Sequence, residues 1–290
     1  MNILVTGASG FIGRSLVPAL FGDGHAVHAL VRARSAFLRP HPDLHLAYQD
    51  LASPLDEAAV GPAIDVIVHL AQGNVELPEQ AVHLTRVNIQ STVDLLEVGR
   101  KRKIRRFILA STGDVYEPKA GILEEDDPVG PVSLYGKSKL CAELMCTGFS
   151  RFFEVSILRL FHPYGPGQTG RLIPKLAAQI RGKNPIILHK NQRPRVSPIY
   201  IDDVVRVFRR AILSSYSGVV NVSGDTAVTI QELSMELGNL LRCKPAFEES
   251  GEETGDLMGK NDRMKQAFSI SAMVGLVEGL SRTFAVSLDT

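Results

Sequence analysis

A tyrosine and a lysine stand four residues apart in Tyr135-Gly136-Lys137-Ser138-Lys139. On a helix that spacing puts both side chains on one face. An ammonium beside a phenol favours the phenolate and draws its pKa below the reference of about 10. Tyr135 is therefore a candidate general acid or base, with Lys139 tuning it. The pair alone is common on helix surfaces, and its company gives it weight. Ser111-Thr112 closes the apolar run Phe107–Ala110, and a hydroxyl at the carboxyl end of a sheet strand is placed to bond a substrate alcohol or carbonyl. The plain alternative is a cap of the next turn. A third element opens the chain: Thr6-Gly7-Ala8-Ser9-Gly10-Phe11-Ile12-Gly13, directly after Asn2-Ile3-Leu4-Val5. Its first glycine permits a tight turn, the second lets a pyrophosphate approach the backbone, and the third lets a helix pack on the strand. The N–H groups at that helix start then face the anion.

These residues need a frame, and the first 160 residues supply one. Strand-like runs at Ile3–Val5, Ala26–Val31, Leu44–Ala47, Ile64–Leu70, Arg106–Ala110 and Val155–Leu160 alternate with helical patterns near Phe11–Phe21, Glu79–Arg100 and Leu134–Phe149. Several strands are continuously apolar, as in a parallel sheet covered on both faces. The expected fold is α/β, a doubly wound parallel sheet of the Rossmann kind with a smaller C-terminal substrate lobe. Later patterns predict helices at Leu172–Arg181, Ile201–Leu213 and Ile230–Leu241 and strands at Pro185–Leu188 and Val219–Val222. Between these lie a polar loop, His189–Ser197, and an acidic, glycine-containing loop, Glu248–Gly259. The division expected is a dinucleotide-binding part over 1–162, with returning segments near 199–225, and a substrate lobe over 163–290.

At 290 residues and 44% hydrophobic content the chain can bury one large core or two unequal ones. A net charge of +1 provides no global field for nucleic acid or an anionic membrane. The basic run Arg100–Arg106 reads as a solvated helix end followed by a strand entry. No apolar run approaches the roughly 20 residues of a membrane helix, and the first residues do not read as a signal peptide. Cys141, Cys146 and Cys243 lack metal-ligand spacing, and Cys141 and Cys146, five apart on an expected helix, read as buried or half-buried thiols. A cytoplasmic protein is expected, with no metal site and no nucleic-acid or membrane partner.

In this order the motifs resemble the extended branch of the short-chain dehydrogenase/reductase superfamily, the NAD(P)-dependent nucleotide-sugar epimerases and dehydratases of the UDP-glucose 4-epimerase type. The resemblance covers essentially the whole chain. Besides the motifs above it includes Gln49-Asp50-Leu51, His69-Leu70-Ala71, Val87-Asn88-Ile89 and Val115-Tyr116. Leu158-Arg159-Leu160-Phe161, Tyr164-Gly165-Pro166-Gly167 and Tyr200–Val204 complete it. It implies that Tyr135 is the acid/base, that Lys139 lowers its pKa and holds the nicotinamide ribose, and that Thr112 orients the substrate oxygen. Gly7, Gly10, Phe11, Ile12 and Gly13 would cradle the dinucleotide, and Asp50 and Leu51 would meet adenine. Leu70, Ala71, Gln72 and Asn88 would serve the cofactor channel. Arg195 would meet a substrate phosphate, and Asp114, His162, Arg171, Leu172 and Asp256 complete the expected substrate set. The implied chemistry is hydride transfer between a sugar carbon and the nicotinamide ring. A homodimer is implied as well, pairing the Glu79–Arg100 and Leu134–Phe149 helices across a two-fold axis.

Four departures bear on that reading. Where NAD-using members carry an acidic residue after the second strand, this chain has Val31-Arg32-Ala33-Arg34. Two guanidiniums there suit a 2′-phosphate, so the reading leans to NADP, with NAD as the alternative. Gly113-Asp114 stands where dehydratases have Asp-Glu, which argues against 4,6-dehydration. His162 replaces the usual asparagine. In Glu253-Thr254-Gly255-Asp256-Leu257 a glutamate replaces the arginine that clamps the diphosphate, leaving Arg171, Arg193 or Arg195 for that role. The leading expectation is a 4-epimerase-like enzyme. The alternatives are an NADPH-dependent 4-ketosugar reductase, a reductase of a carbonyl substrate without a nucleotide, and a non-catalytic dinucleotide-binding member.

Overall fold

Short apolar segments that bury both faces build the centre of the molecule, and the computed structural model describes residues 1–61, 63–73, 80–189, 194–252 and 254–285. Seven strands form one parallel sheet: β1 (Asn2–Thr6), β2 (Ala26–Val31), β3 (Leu44–Tyr48), β4 (Val66–His69), β5 (Arg106–Thr112), β7 (Glu154–Leu160) and β12 (Gly218–Val222). Their spatial order is β12-β7-β5-β4-β1-β2-β3. The chain thus winds outward from β1 to β3, returns to β4 on the other side of β1, and winds out again. At such a reversal the carboxyl ends of the strands open a crevice. β4 and β5 are buried along their whole length, while β3, at the edge, is half exposed.

Alternation along each strand sorts side chains to two cores. Ile3, Val5, Ile108 and Ala110 join a cluster with helices α1 (Gly13–Gly22), α5 (Leu172–Arg181), α6 (Ile201–Leu213) and α7 (Ile230–Leu241). Leu4, Phe107 and Leu109 join a second cluster with α3 (Ser91–Arg102) and α4 (Leu134–Gly148) on the other face. The first cluster contains residues from both sides of position 162, and β12 completes the sheet beside β7. Four two-stranded pairs lie outside it: β6 (Ile122–Leu123) with β15 (Met258–Gly259), β8 (Pro163–Tyr164) with β11 (Ile199–Tyr200), β9 (Ile186–His189) with β14 (Phe247–Ser250), and β10 (Arg195–Val196) with β13 (Val228–Thr229). Helices α8 (Asp262–Phe268) and α9 (Leu276–Ala285) follow.

Several boundaries differ from the sequence reading. α1 begins at Gly13 rather than Phe11, because residues 10–12 belong to the glycine turn. Of the helix expected over Glu79–Arg100, Glu79 lies outside the described residues. The remainder is α2 (Ala81–Thr85), a π turn at Arg86–Gln90, and α3. The loops expected at His189–Ser197 and Glu248–Gly259 contain β10, most of β14 and β15. Cys141 is exposed, Cys146 buried and Cys243 intermediate; the expectation of burial fails at Cys141 because it sits on the outer face of α4. The basic run divides as expected: Arg100, Lys101 and Arg102 end α3, whereas Arg106 enters β5 buried and pairs with Glu154. Among the described residues no helix is long and apolar enough to cross a membrane, and no cluster of three or more His, Cys, Asp or Glu forms a metal site.

Candidate active site

The glycine turn is shaped by what its residues lack. Gly7 has φ +64, and a Cβ there would lie 2.7 Å from the backbone nitrogen of Ala71. A Cβ at Gly10 would meet the Gly7 carbonyl at 3.1 Å, and one at Gly13 would meet it at 2.4 Å. Only glycine lets α1, the turn and the end of β4 close to that distance. α1 starts without a side-chain cap and without an acidic residue in its first turn, an arrangement that suits an anion. The cradle therefore fits a dinucleotide pyrophosphate. It opens into a cleft of about 800 Å³ along the carboxyl ends of the strands.

Around that cleft the sequence candidates divide. Phe11, Ile12, Arg32, Asp50 and Leu51 line it on the side of β1 and β2. The Asp50 carboxylate also accepts the Ala52 N–H at 3.0 Å and shapes its own turn. Arg34 does not reach the lining. Leu70, Ala71 and Gln72 line it at the end of β4, and His162, Arg171 and Leu172 form the opposite wall. Thr112, Asp114 and Tyr135 stand between.

The catalytic candidates come from two elements in close contact. Thr112 ends β5; its hydroxyl accepts the Asp114 N–H at 3.2 Å and donates to Asp114 Oδ2 at 3.1 Å. Ser133 caps α4, its Oγ accepting the Gly136 N–H at 2.9 Å. A Cβ on Gly136 would lie 2.4 Å from the Asp114 carbonyl oxygen, so this glycine lets α4 press Tyr135 against the Thr112–Asp114 turn. The Tyr135 hydroxyl donates to Gln72 Oε1 at 2.8 Å.

Burial dominates the electrostatics of the pair. Burial, followed by the Asp114 carboxylate, pushes the Tyr135 phenol up from its ordinary value; Arg171 and hydrogen bonds with Thr112 and Gln72 oppose this. Lys139 lies one turn further along α4. Its ammonium is buried behind the lining, where desolvation lowers its pKa to about 8 against the opposing pull of Glu143 and Cys146. Burial also lowers the pKa of His162, with the Asp114 carboxylate opposing and Arg171 reinforcing that shift. His162 sits at φ +46, in the left-handed region where asparagine, aspartate and histidine are the most frequent side-chain-bearing residues. That explains how histidine stands in for the family's asparagine.

Three further candidates lie off the cleft. Asn88, expected along the cofactor channel, is buried behind it. Its Oδ1 accepts the Gly73 N–H at 2.7 Å, and its Nδ2 donates to the Gly73 carbonyl at 3.1 Å and to Ser138 Oγ at 2.8 Å. It fastens the end of β4 to α4. Arg195 and Asp256, expected on substrate, bind each other: Arg195 Nη2 donates to Asp256 Oδ2 at 2.7 Å and its N–H to Oδ1 at 2.9 Å. Asp256 also accepts the Gly121 N–H at 2.8 Å. Its carboxylate is consumed in closing the loops around β10, and neither residue reaches the lining. Arg193 and Glu253 lie outside the described residues.

Sequence reasoning missed Arg14 and Lys175, which both line the cleft. The signals were present: Arg14 directly follows the third glycine, and Lys175 stands one helical turn beyond Arg171. It also missed the layer beneath the site. Glu143, one turn beyond Lys139, accepts from Arg159 Nη2 at 2.7 Å and from the Ser111 hydroxyl, all three buried. The Arg159 guanidinium lies 4.6 Å from the Tyr116 ring centroid, and Tyr116 donates to Asn221 at 2.7 Å.

The profile of the NAD dependent epimerase/dehydratase family matches residues 3–223. YtcB of Bacillus subtilis, described as an uncharacterized UDP-glucose epimerase, is 28% identical over 98% of this chain and 97% of its own length. A dTDP-glucose 4,6-dehydratase of Streptomyces griseus is 28% identical over 98% of this chain and 93% of its own. The structure of UDP-glucuronic acid 4-epimerase from Bacillus cereus, in complex with UDP-glucuronic acid and NAD, superposes with a TM-score of 0.89 at 26% identity. It covers 100% of this chain and 99% of that one.

Proposed function

The chain belongs to the NAD dependent epimerase/dehydratase family, and from that premise we propose that it acts on a hydroxyl or keto carbon of a nucleotide-diphosphate sugar, as a 4-epimerase-like enzyme. The observation that carries this reading is the meeting of Tyr135, Thr112 and Gln72 in a cleft that begins at an open glycine cradle. When bound, a nicotinamide dinucleotide supplies a ring that accepts and returns hydride. The chain's own residues do the rest. Tyr135 takes the proton from the sugar hydroxyl as that carbon is oxidised and returns it when the carbon is reduced. Thr112 bonds the same oxygen and fixes its direction. Lys139, one turn beyond Tyr135, would hold the nicotinamide ribose. The walls divide the work as the sequence suggests, 1–162 for the dinucleotide with segments near 199–225 returning, and 163–290 for the sugar nucleotide. With Arg195 engaged by Asp256, Arg171 and Lys175 are the cleft cations available to the substrate's diphosphate.

With Gly113-Asp114 in place of Asp-Glu, elimination of water has only one of the two carboxylates the family's dehydratases use. Arg32 supports a second reading. It lines the cleft at the end of β2 with no carboxylate at the corresponding position, which favours NADP over NAD and fits an NADPH-dependent 4-ketosugar reductase. Two copies would pair through α2, α3 and α4, where Val82, Leu144 and Met145 are exposed.

Mass spectrometry of the small molecules released on denaturing the purified protein separates the two readings. Stoichiometric dinucleotide, with UDP-glucose converted to UDP-galactose and no cofactor added, supports the epimerase. An absolute requirement for added NADPH sinks it and supports the reductase.

A further inference from the structure

One side chain joins three separate segments at the end of the cleft where α1 begins. Arg14 leaves the first turn of α1 and donates from Nη2 to the carbonyl oxygen of Pro166 at 2.6 Å. Its guanidinium lies 5.3 Å from the ring centroid of Phe11 in the glycine turn and 5.0 Å from that of Phe37, between β2 and β3. The opposite side of the contact is cut to fit it. Gly167 has φ +71, and a Cβ there would lie 2.7 Å from Arg14 Nη2, so a larger residue would displace the guanidinium. A Cβ at Gly165 would stand 3.5 Å from the Phe11 ring, which packs onto the same turn. Gln168 braces that turn from within, donating to the Pro163 carbonyl at 2.6 Å. Burial holds the Arg14 pKa below its usual value, but an arginine stays charged, and a charged donor on a backbone carbonyl is among the stronger hydrogen bonds.

Arg14 and Gly167 both line the cleft. The strap therefore crosses from the wall that cradles the pyrophosphate to the wall that begins at His162. We propose that Arg14 is a clasp that retains the dinucleotide: it holds the Pro163–Gly167 turn against the start of α1, and the cofactor leaves only when this contact opens. The inference rests on reading the cleft as a dinucleotide site. It deepens that reading by making slow cofactor exchange a built-in property, which suits an enzyme that oxidises and reduces within one turnover. Arg14 acts here as a positioning residue, through the Pro166–Gly167 turn rather than on reacting atoms.

The test is the release rate of isotope-labelled NAD and of labelled NADP from the full-length protein, chased with unlabelled dinucleotide. Removing a charged hydrogen bond and two ring contacts in Arg14→Ala should speed release by about tenfold or more. Arg14→Lys keeps the charge but not the planar fork and should fall between. Phe37→Ala, at a residue 59% exposed, removes one contact without touching the core. It should speed release less, and add little on top of Arg14→Ala. Unfolding temperatures measured without dinucleotide are the control: a role in overall stability alone would lower them and leave exchange unchanged. Release from Arg14→Ala at the parent's rate overturns the clasp while leaving the cleft assignment intact. Failure of the parent protein to bind either dinucleotide overturns both.

Discussion

Tyr135 illustrates how a motif and its setting divide the work. The four-residue spacing with Lys139 was visible in the sequence, and so was the strand-end position of Thr112. What the spacing could not reveal is which charges each side chain meets, because that depends on segments far away in the chain. Asp114 and Arg171 act on the phenol with opposite signs, while Lys139 faces Glu143. Tyr135→Phe removes the proposed acid/base and should cut turnover by about 10² to 10⁴-fold, measured on whichever nucleotide sugar proves active. Asp114→Asn should act on pH instead. A carboxylate near a phenol disfavours the phenolate, so removing its charge lowers the Tyr135 pKa. The rise of the oxidation rate with pH should then move to lower pH; an unmoved profile would show that Asp114 does not govern the phenol.

Elements were legible where pattern and burial agree. The apolar strands and the Leu134 helix match because parallel strands buried on both faces leave continuous hydrophobic runs. The two-residue strands were not legible, since pieces such as Arg195–Val196 are defined by a partner rather than by their own periodicity. Nor was the break between α2 and α3. Asn88 lies within that π turn, and its side chain joins the end of β4 to α4 with three hydrogen bonds. Asn88→Ala would leave the buried Gly73 N–H unsatisfied and should destabilise the protein by roughly 2–3 kcal/mol. Urea unfolding gives the value directly, and a change under 0.5 kcal/mol on the scale of a neutral surface substitution would show that the turn holds without it.

At the scale of the whole molecule, His69 is a buried histidine whose charged form the fold disfavours. His69 bonds Thr6 Oγ1 at 2.7 Å and Thr92 Oγ1 at 3.1 Å, and burial, reinforced by Lys139, lowers its pKa to about 3. The unfolded chain takes up that proton near pH 6.5, so the native state loses stability as pH falls below that value, by about 1.4 kcal/mol per unit down to the folded pKa near 3. The dependence of unfolding free energy on pH between 6.5 and 4.5 should be shallower in His69→Gln by that slope. An unchanged slope would mean that His69 is protonated in the native protein. The order of the sheet has a further consequence, for synthesis. β7 pairs with β5 on one side and with β12 on the other, and 57 residues lie between Leu160 and Gly218. At 5–20 residues per second the ribosome needs roughly 3–12 s to deliver the closing strand. For that interval the nascent chain presents a seven-residue, largely apolar edge with nothing to pair with it, and a translational pause there would favour aggregation over folding.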